Sequence, residues 1–266
     1  MIWDSFFCFA IVSFLLWTCA SIAAWYNNKK TAVVACTMGL LVFGAFIAIM
    51  WIEIKHPPLR TMGETRLWYS LLLSLSGLLV YLRWHYRWIL SFSTIMSTVF
   101  MAVNIFKPEL HTKTLMPALQ SPWFAPHVIV YMLSYALMGA ATLMALYHLI
   151  VNARHKAFRP SEDSFMLSID ELVRAGLVFL TFGMLFGAMW AKEAWGHYWT
   201  WDPKETWASI TWLAYLIYIH YRHLSYHSTR IALSILIIAF LLLQMCWWGI
   251  NYLPSANGYS VHTYSS

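Results

Sequence analysis

The stretch WGHYWTWDPKETWASITW, Trp195 to Trp212, holds five tryptophans, a tyrosine, a histidine, an Asp-Pro pair and a Lys-Glu pair in eighteen positions. Its middle reads as the start of a helix. Asp202 suits the cap, Pro203 the first helical position and Glu205 the third, which completes a capping box. Apolar runs of membrane-spanning length lie on both sides of it. The stretch is therefore a polar, aromatic turn set between two spans.

Composition extends that reading to the whole chain. Of 266 residues, 61% are apolar and 11% are charged, and the mean hydropathy is +0.60. A soluble domain carries about a quarter charged residues, so this is the composition of a chain immersed in a lipid bilayer. Apolar runs fall near 2–26, 31–52, 67–82, 88–106, 127–151, 171–191, 205–221 and 229–250. Lipid leaves no water for an open strand's backbone, so each run is predicted to be a helix. The expected fold is all-α: a polytopic membrane protein of about eight transmembrane helices in a single integral membrane domain, 1–266, with an external Trp-rich loop at 192–207. The first basic residues, Lys29 and Lys30, follow the first apolar run, which reads as a retained span. The net charge of +6 is spread over loops with no clustered run, which excludes a nucleic-acid partner. Cys8, Cys19, Cys36 and Cys246 lie in apolar runs without a CxxC pair, so the chain is no dithiol oxidoreductase.

The connections fall into two alternating sets. The loops at 27–30, 83–87, 152–163 and 221–230 hold nine Lys and Arg; those at 53–66, 107–126 and 192–204 hold seven. The excess places the first set in the cytoplasm, with the Trp-rich loop and the C-terminal tail outside. Span parity alone puts the 107–126 loop, the Trp-rich loop and the tail on one side. Gly183 and Gly187 form a GxxxG in the sixth span, a pattern that lets a neighbouring helix approach closely.

Tryptophans also gather in aromatic belts at membrane surfaces, and Trp207 and Trp212 fit that role as well as any other. Trp195, Trp199 and Trp201 are too dense for a belt, and suit a large planar apolar ligand with a polar edge. Two histidines share their side by parity: His127, opening the fifth span, and His262, in the tail. A pair of neutral imidazoles beside an aromatic platform is what a six-coordinate heme iron requires. His220 lies seventeen residues after Pro203, about 26 Å along a helix. It sits near the opposite end of its span and serves a second site or none. His148 and His85 read as packed or interfacial residues. Lys192, Lys204 and His197 are placed to pair with the propionates, on charge and position alone.

The run WGHYWTWDPKETWASITWLAYLIYIHYR, residues 195–222, closely resembles the signature of the CcsA/ResC family. These are the heme-handling subunits of the system II cytochrome c synthetase, within the tryptophan-rich WWD superfamily. QSPWFAPHV at 120–128 is similar to the family's segment around its first external histidine, and GINYLPSANGYSVHTYSS at 249–266 to its C-terminal histidine segment. PPLRTMGETRLWY at 57–69 is more loosely similar to the corresponding loop of the first half.

The resemblance implies a multi-pass protein of the bacterial inner membrane that moves heme outward and presents it externally. It implies that His127 and His262 are the axial ligands of heme b, with the loop from Trp195 to Trp207, Asp202 included, holding the porphyrin. His220 matches a histidine within a span that assists heme uptake from the cytoplasmic side. The implied activity is that of a holocytochrome c synthase, or heme lyase, acting with a CcsB/ResB-type membrane protein on an apocytochrome c bearing CxxCH. Two thiols add across the two vinyl groups, and the protein contributes mainly positioning; no catalytic acid–base pair stands out. Two other readings stay open. One is a heme transporter or chaperone without ligation activity. The other is an electron-transfer subunit with b-type hemes, which would want pairs of mid-span histidines.

Overall fold

The computed structural model describes residues 2–59, 61–111, 121–154, 162–247 and 249–252. Among these residues eight long helices follow in order: α1 Ile2–Trp25, α2 Lys29–Ile54, α3 Met62–Trp84, α4 Arg87–Phe106, α5 Phe124–Arg154, α6 Glu162–Trp195, α7 Pro203–His223 and α8 Thr229–Trp247. Short 3-10 turns lie at Pro108–His111 and Gly249–Tyr252, and no strand occurs among the described residues. Seven of the long helices are long and apolar enough to cross a membrane. The eighth, α7, has 21 residues, enough for about 31 Å at 1.5 Å per residue. Its tyrosines, tryptophans, His220 and Arg222 make it more polar than its neighbours. The protein is thus an all-helical, multi-pass membrane protein.

The chain divides into two compact units, Met1–Leu115 with α1 to α4, and Met116–Ser266 with α5 to α8. In the first unit α1 packs on α2 and α4, and α3 packs on α4 and α2. Its apolar core includes Phe6, Trp17, Phe43, Phe46, Met50, Leu67 and Leu90. Lipid tails are as apolar as leucine, so helix pairs in a bilayer are held by close packing and polar contacts. The α3–α4 pair uses both. A Cβ on Gly77 would collide with Ser93, Ser74 Oγ donates to Ser97 Oγ at 2.7 Å, and Ser70 Oγ donates to the Ser97 carbonyl at 3.1 Å. Helix α3 starts at a capping box, Thr61 with Glu64, ahead of its apolar run.

The second unit pairs α5 with α6, α7 with α8, α5 with α8 and α6 with α7. Helices α5 and α6 have 31 and 34 residues, about 47 and 51 Å, so both outrun a hydrocarbon core of about 30 Å. Helix α7 begins at the capping box read from the sequence, with Asp202 at the cap, Pro203 in the first turn and Glu205 reaching back. At its far end Arg222 meets Asp170 of α6. Arg222 Nη2 lies 2.8 Å from Asp170 Oδ2, with side chains 13% and 6% exposed. Arg222 Nε donates to the same carboxylate at 3.0 Å, and Tyr218 Oη donates to Asp170 Oδ1 at 2.8 Å.

A charge pair this buried is costly to break from one side, because the survivor is left without its counter-charge. Asp170→Ala is predicted to lower the stability of the α6–α7 contact by about 3 kcal/mol. Reversible denaturant titration in mixed micelles reads this as a lower unfolding midpoint, and an unchanged midpoint would contradict it.

Candidate functional site

Helix α6 leads directly into the Trp-rich turn. It stops at Gly196, whose φ of 84° lies in the left-handed region where glycine ends helices at least expense. The Gly196 N–H still bonds back to the Lys192 carbonyl at 3.0 Å. Lys192 Nζ donates in turn to the Gly196 carbonyl at 2.8 Å and lies 5.4 Å above the Tyr198 ring. One lysine thus closes the turn and orients an exposed aromatic residue.

The other end of the turn is tied down by Glu205. Its Oε2 accepts from the N–H of Thr200 at 2.7 Å and of Asp202 at 3.1 Å. Asp202 Oδ1 accepts from the Lys204 N–H at 2.8 Å. Both carboxylates are buried. Between these anchors Trp201 takes a φ of 59°, a left-handed conformation that a bulky residue adopts only when its surroundings impose it. The result lifts its indole outward: Trp201 is 69% exposed, edge-on to Trp199 at 5.9 Å between ring centroids.

His127 occupies the first turns of α5, against the end of α6 that enters this turn. Its ring lies 4.6 Å from Tyr131 and 5.6 Å from Trp190, centroid to centroid. Trp190 continues the aromatic row to Trp195 at 4.8 Å and to Phe124 at 5.2 Å. His127 Nδ1 lies 2.8 Å from the Gly183 carbonyl oxygen. A carbonyl can only accept, so Nδ1 carries the proton in this contact and Nε2 is the basic nitrogen of the neutral ring. That is the tautomer a metal-ligating histidine uses when its other nitrogen is held by a backbone carbonyl.

The remaining candidates fall in separate places. Trp195, Trp199 and Trp207 are half-buried. His197 is exposed, and Lys192 is engaged as described. Trp212 Nε1 donates to Thr181 Oγ1 of α6 at 2.9 Å, which makes it a packing residue between α6 and α7. His220 is exposed in the last turn of α7. Its Nδ1 lies 2.9 Å from the Leu216 carbonyl, one turn back on the same helix, two residues from the arginine that holds Asp170. His262 lies outside the described residues.

Sequence reasoning passed over Trp190 and Tyr131, which touch His127 directly. Trp190 sits in the apolar run of α6 and carried no mark of its own. Tyr131 was recoverable: it follows His127 by four residues, on the same helical face.

Residues 5–256 match the family described as cytochrome C assembly protein. The chain is 31% identical to the cytochrome c biogenesis protein CcsA of Pelargonium hortorum over 285 residues, covering 91% of this chain and 87% of that one. It is 33% identical to the CcsA of Cuscuta exaltata, over 87% and 82% of the two chains. It is 30% identical to that of Chlamydomonas reinhardtii, over 90% and 70%. Among solved structures it resembles the cytochrome c heme lyase CcmF, with a TM-score of 0.61 and 16% identity over 96% of this chain and 49% of that one. It spans about half of that protein's length, and the likeness is one of fold. Matched along nearly its whole length, this membrane-embedded chain belongs to the cytochrome c assembly protein family.

Proposed function

We propose that this protein binds heme b on the external face of a bacterial cytoplasmic membrane and presents it, held by two histidines, for thioether attachment to the CxxCH of an apocytochrome c. The observation that carries the reading is His127. Its Nδ1 is committed to the Gly183 carbonyl at 2.8 Å, and its ring stands in the aromatic row of Tyr131, Trp190 and Trp195. An imidazole so placed offers Nε2 to an iron lying against tryptophan faces. His262 supplies the second axial ligand. Trp195, Trp199, Trp201 and Trp207 hold the porphyrin, and Asp202 keeps their turn in place as the cap of α7. His220, at the other end of α7, assists uptake of heme from the cytoplasmic side.

The reaction adds each cysteine S–H across one vinyl C=C, the sulfur bonding to the carbon nearest the ring and the hydrogen ending on the terminal carbon. No electrons are gained or lost in that addition. The protein's part is to keep the iron ligated and the vinyl edges exposed while two thiols approach, an effect of position. The histidine of CxxCH then displaces one of the two protein ligands. A CcsB/ResB-type membrane protein acts as the partner. The relatives' role in cytochrome c biogenesis and the fold shared with a heme lyase support this reading.

Purified His127→Ala protein is expected to lose the six-coordinate heme spectrum and to regain it with added imidazole; an unchanged spectrum would remove His127 from the iron. Reconstitution with the partner and a CxxCH apoprotein is expected to yield covalent heme. A heme-loaded protein that yields none would make it a carrier that hands heme on. His220→Ala is expected to reduce heme loading while whatever heme is bound keeps its six-coordinate spectrum. Normal loading would reject the uptake role.

A further inference from the structure

The contact between α5 and α6 is a repeated unit. A Cβ added to Gly176 would lie 2.8 Å from Met138 Cγ, one added to Gly183 would lie 2.5 Å from Tyr131 Cδ1, and one added to Gly187 would lie 2.7 Å from His127 Cε1. The glycines are seven and then four residues apart, and so are the residues facing them, counted in reverse. That is the register of two antiparallel helices packed with backbone against side chain. The carbonyls follow the same rule. Ser134, four residues before Met138, donates to the Gly176 carbonyl at 2.7 Å. His127, four residues before Tyr131, contacts the Gly183 carbonyl at 2.8 Å.

His127 is therefore held by two glycines at once. Gly183 supplies the carbonyl that selects the tautomer. Gly187 supplies the gap that admits the ring: its added Cβ would meet Cε1 at 2.7 Å and Nδ1 at 2.8 Å, with Nε2 further off at 3.7 Å. The Nδ1–Cε1 edge faces α6, and Nε2 is the ring nitrogen set further from it.

We propose that Gly183 and Gly187 are positioning residues for heme, setting the depth and tautomer of His127 so that Nε2 meets the iron. This rests on His127 being an iron ligand. A methyl group at Gly187 cannot be accommodated by a rotation at the end of a flexible chain, because the atoms it meets belong to a rigid ring. It must push the imidazole off the Gly183 carbonyl.

The test uses the full chain, co-expressed with its partner and purified with its heme, as Gly187→Ala, His127→Ala, the double variant and Gly176→Ala. Gly187→Ala is expected to move heme from the six-coordinate to a five-coordinate spectrum and to slow covalent attachment about tenfold or more, with imidazole restoring both. The double variant is expected to match His127→Ala, since the three atoms nearest the methyl all belong to that ring and the effects do not add. Gly176→Ala, in the same seam but facing the flexible Met138, is expected to keep the six-coordinate spectrum. If Gly187→Ala fails to accumulate, accumulation of the double variant supports the ring as the cause, and its failure overturns the proposal. A six-coordinate Gly187→Ala protein, an additive double variant, or equal damage from Gly176→Ala would each overturn it. If His127→Ala itself keeps its spectrum, it is the ligand role of His127 that fails.

Discussion

Backbone-to-side-chain packing of α5 on the glycine face of α6 is the contact on which the second unit depends. In water two such helices would be driven together by burying apolar surface. In lipid that drive is absent, and association rests on dispersion at short range and on hydrogen bonds that lipid does not contest. Gly176, Gly183 and Gly187 provide the short range, and the carbonyls of Gly176 and Gly183 provide acceptors for Ser134 and His127. The same contact that assembles the helix pair thereby places an imidazole at one end of it. Stability and site geometry are one set of atoms here.

The Trp-rich turn inherits its position from that pair. It begins where α6 ends, at Gly196, and finishes where Glu205 gathers the N–H groups of Thr200 and Asp202. Rigid anchors at both ends allow the turn to hold Trp201 in a left-handed conformation, at an expense of about 1 kcal/mol for a residue with a side chain. What is obtained is an exposed indole set edge-on to Trp199. For the proposed heme-holding role, aromatic groups already fixed in place mean that fewer side chains lose freedom on binding.

The far end of α7 has a different character. Asp170, Tyr218 and Arg222 form a buried cluster that ties α6 to α7, with His220 exposed beside it. That helix terminus is held firmly by charge. The end at the Trp-rich turn, in contrast, is held by caps and glycines and presents its aromatic residues. One helix thus has two ends of unlike chemistry, with His220 and the Asp170–Arg222 pair at one and the tryptophans at the other.

Much of this was legible in the amino-acid sequence, for identifiable reasons. The all-helical membrane fold follows from apolar runs, because lipid forbids any other way of satisfying an isolated segment's backbone. The start of α7 was legible at Asp202, Pro203 and Glu205, because a cap is a local interaction among neighbours in the chain. Contacts between distant residues were not. The GxxxG at Gly183 and Gly187 looked like a common packing pattern, and nothing in it named His127 as the side chain it admits. Trp190 was one more apolar residue in an apolar run. Asp170 and Arg222 stand 52 residues apart, and no periodicity links them. The sequence by itself determined the class of fold, the family signature and the capped start of α7. Only the tertiary structure decided which residues meet, because the α5–α6 register depends on where two helices can approach most closely, and that is a property of both faces at once.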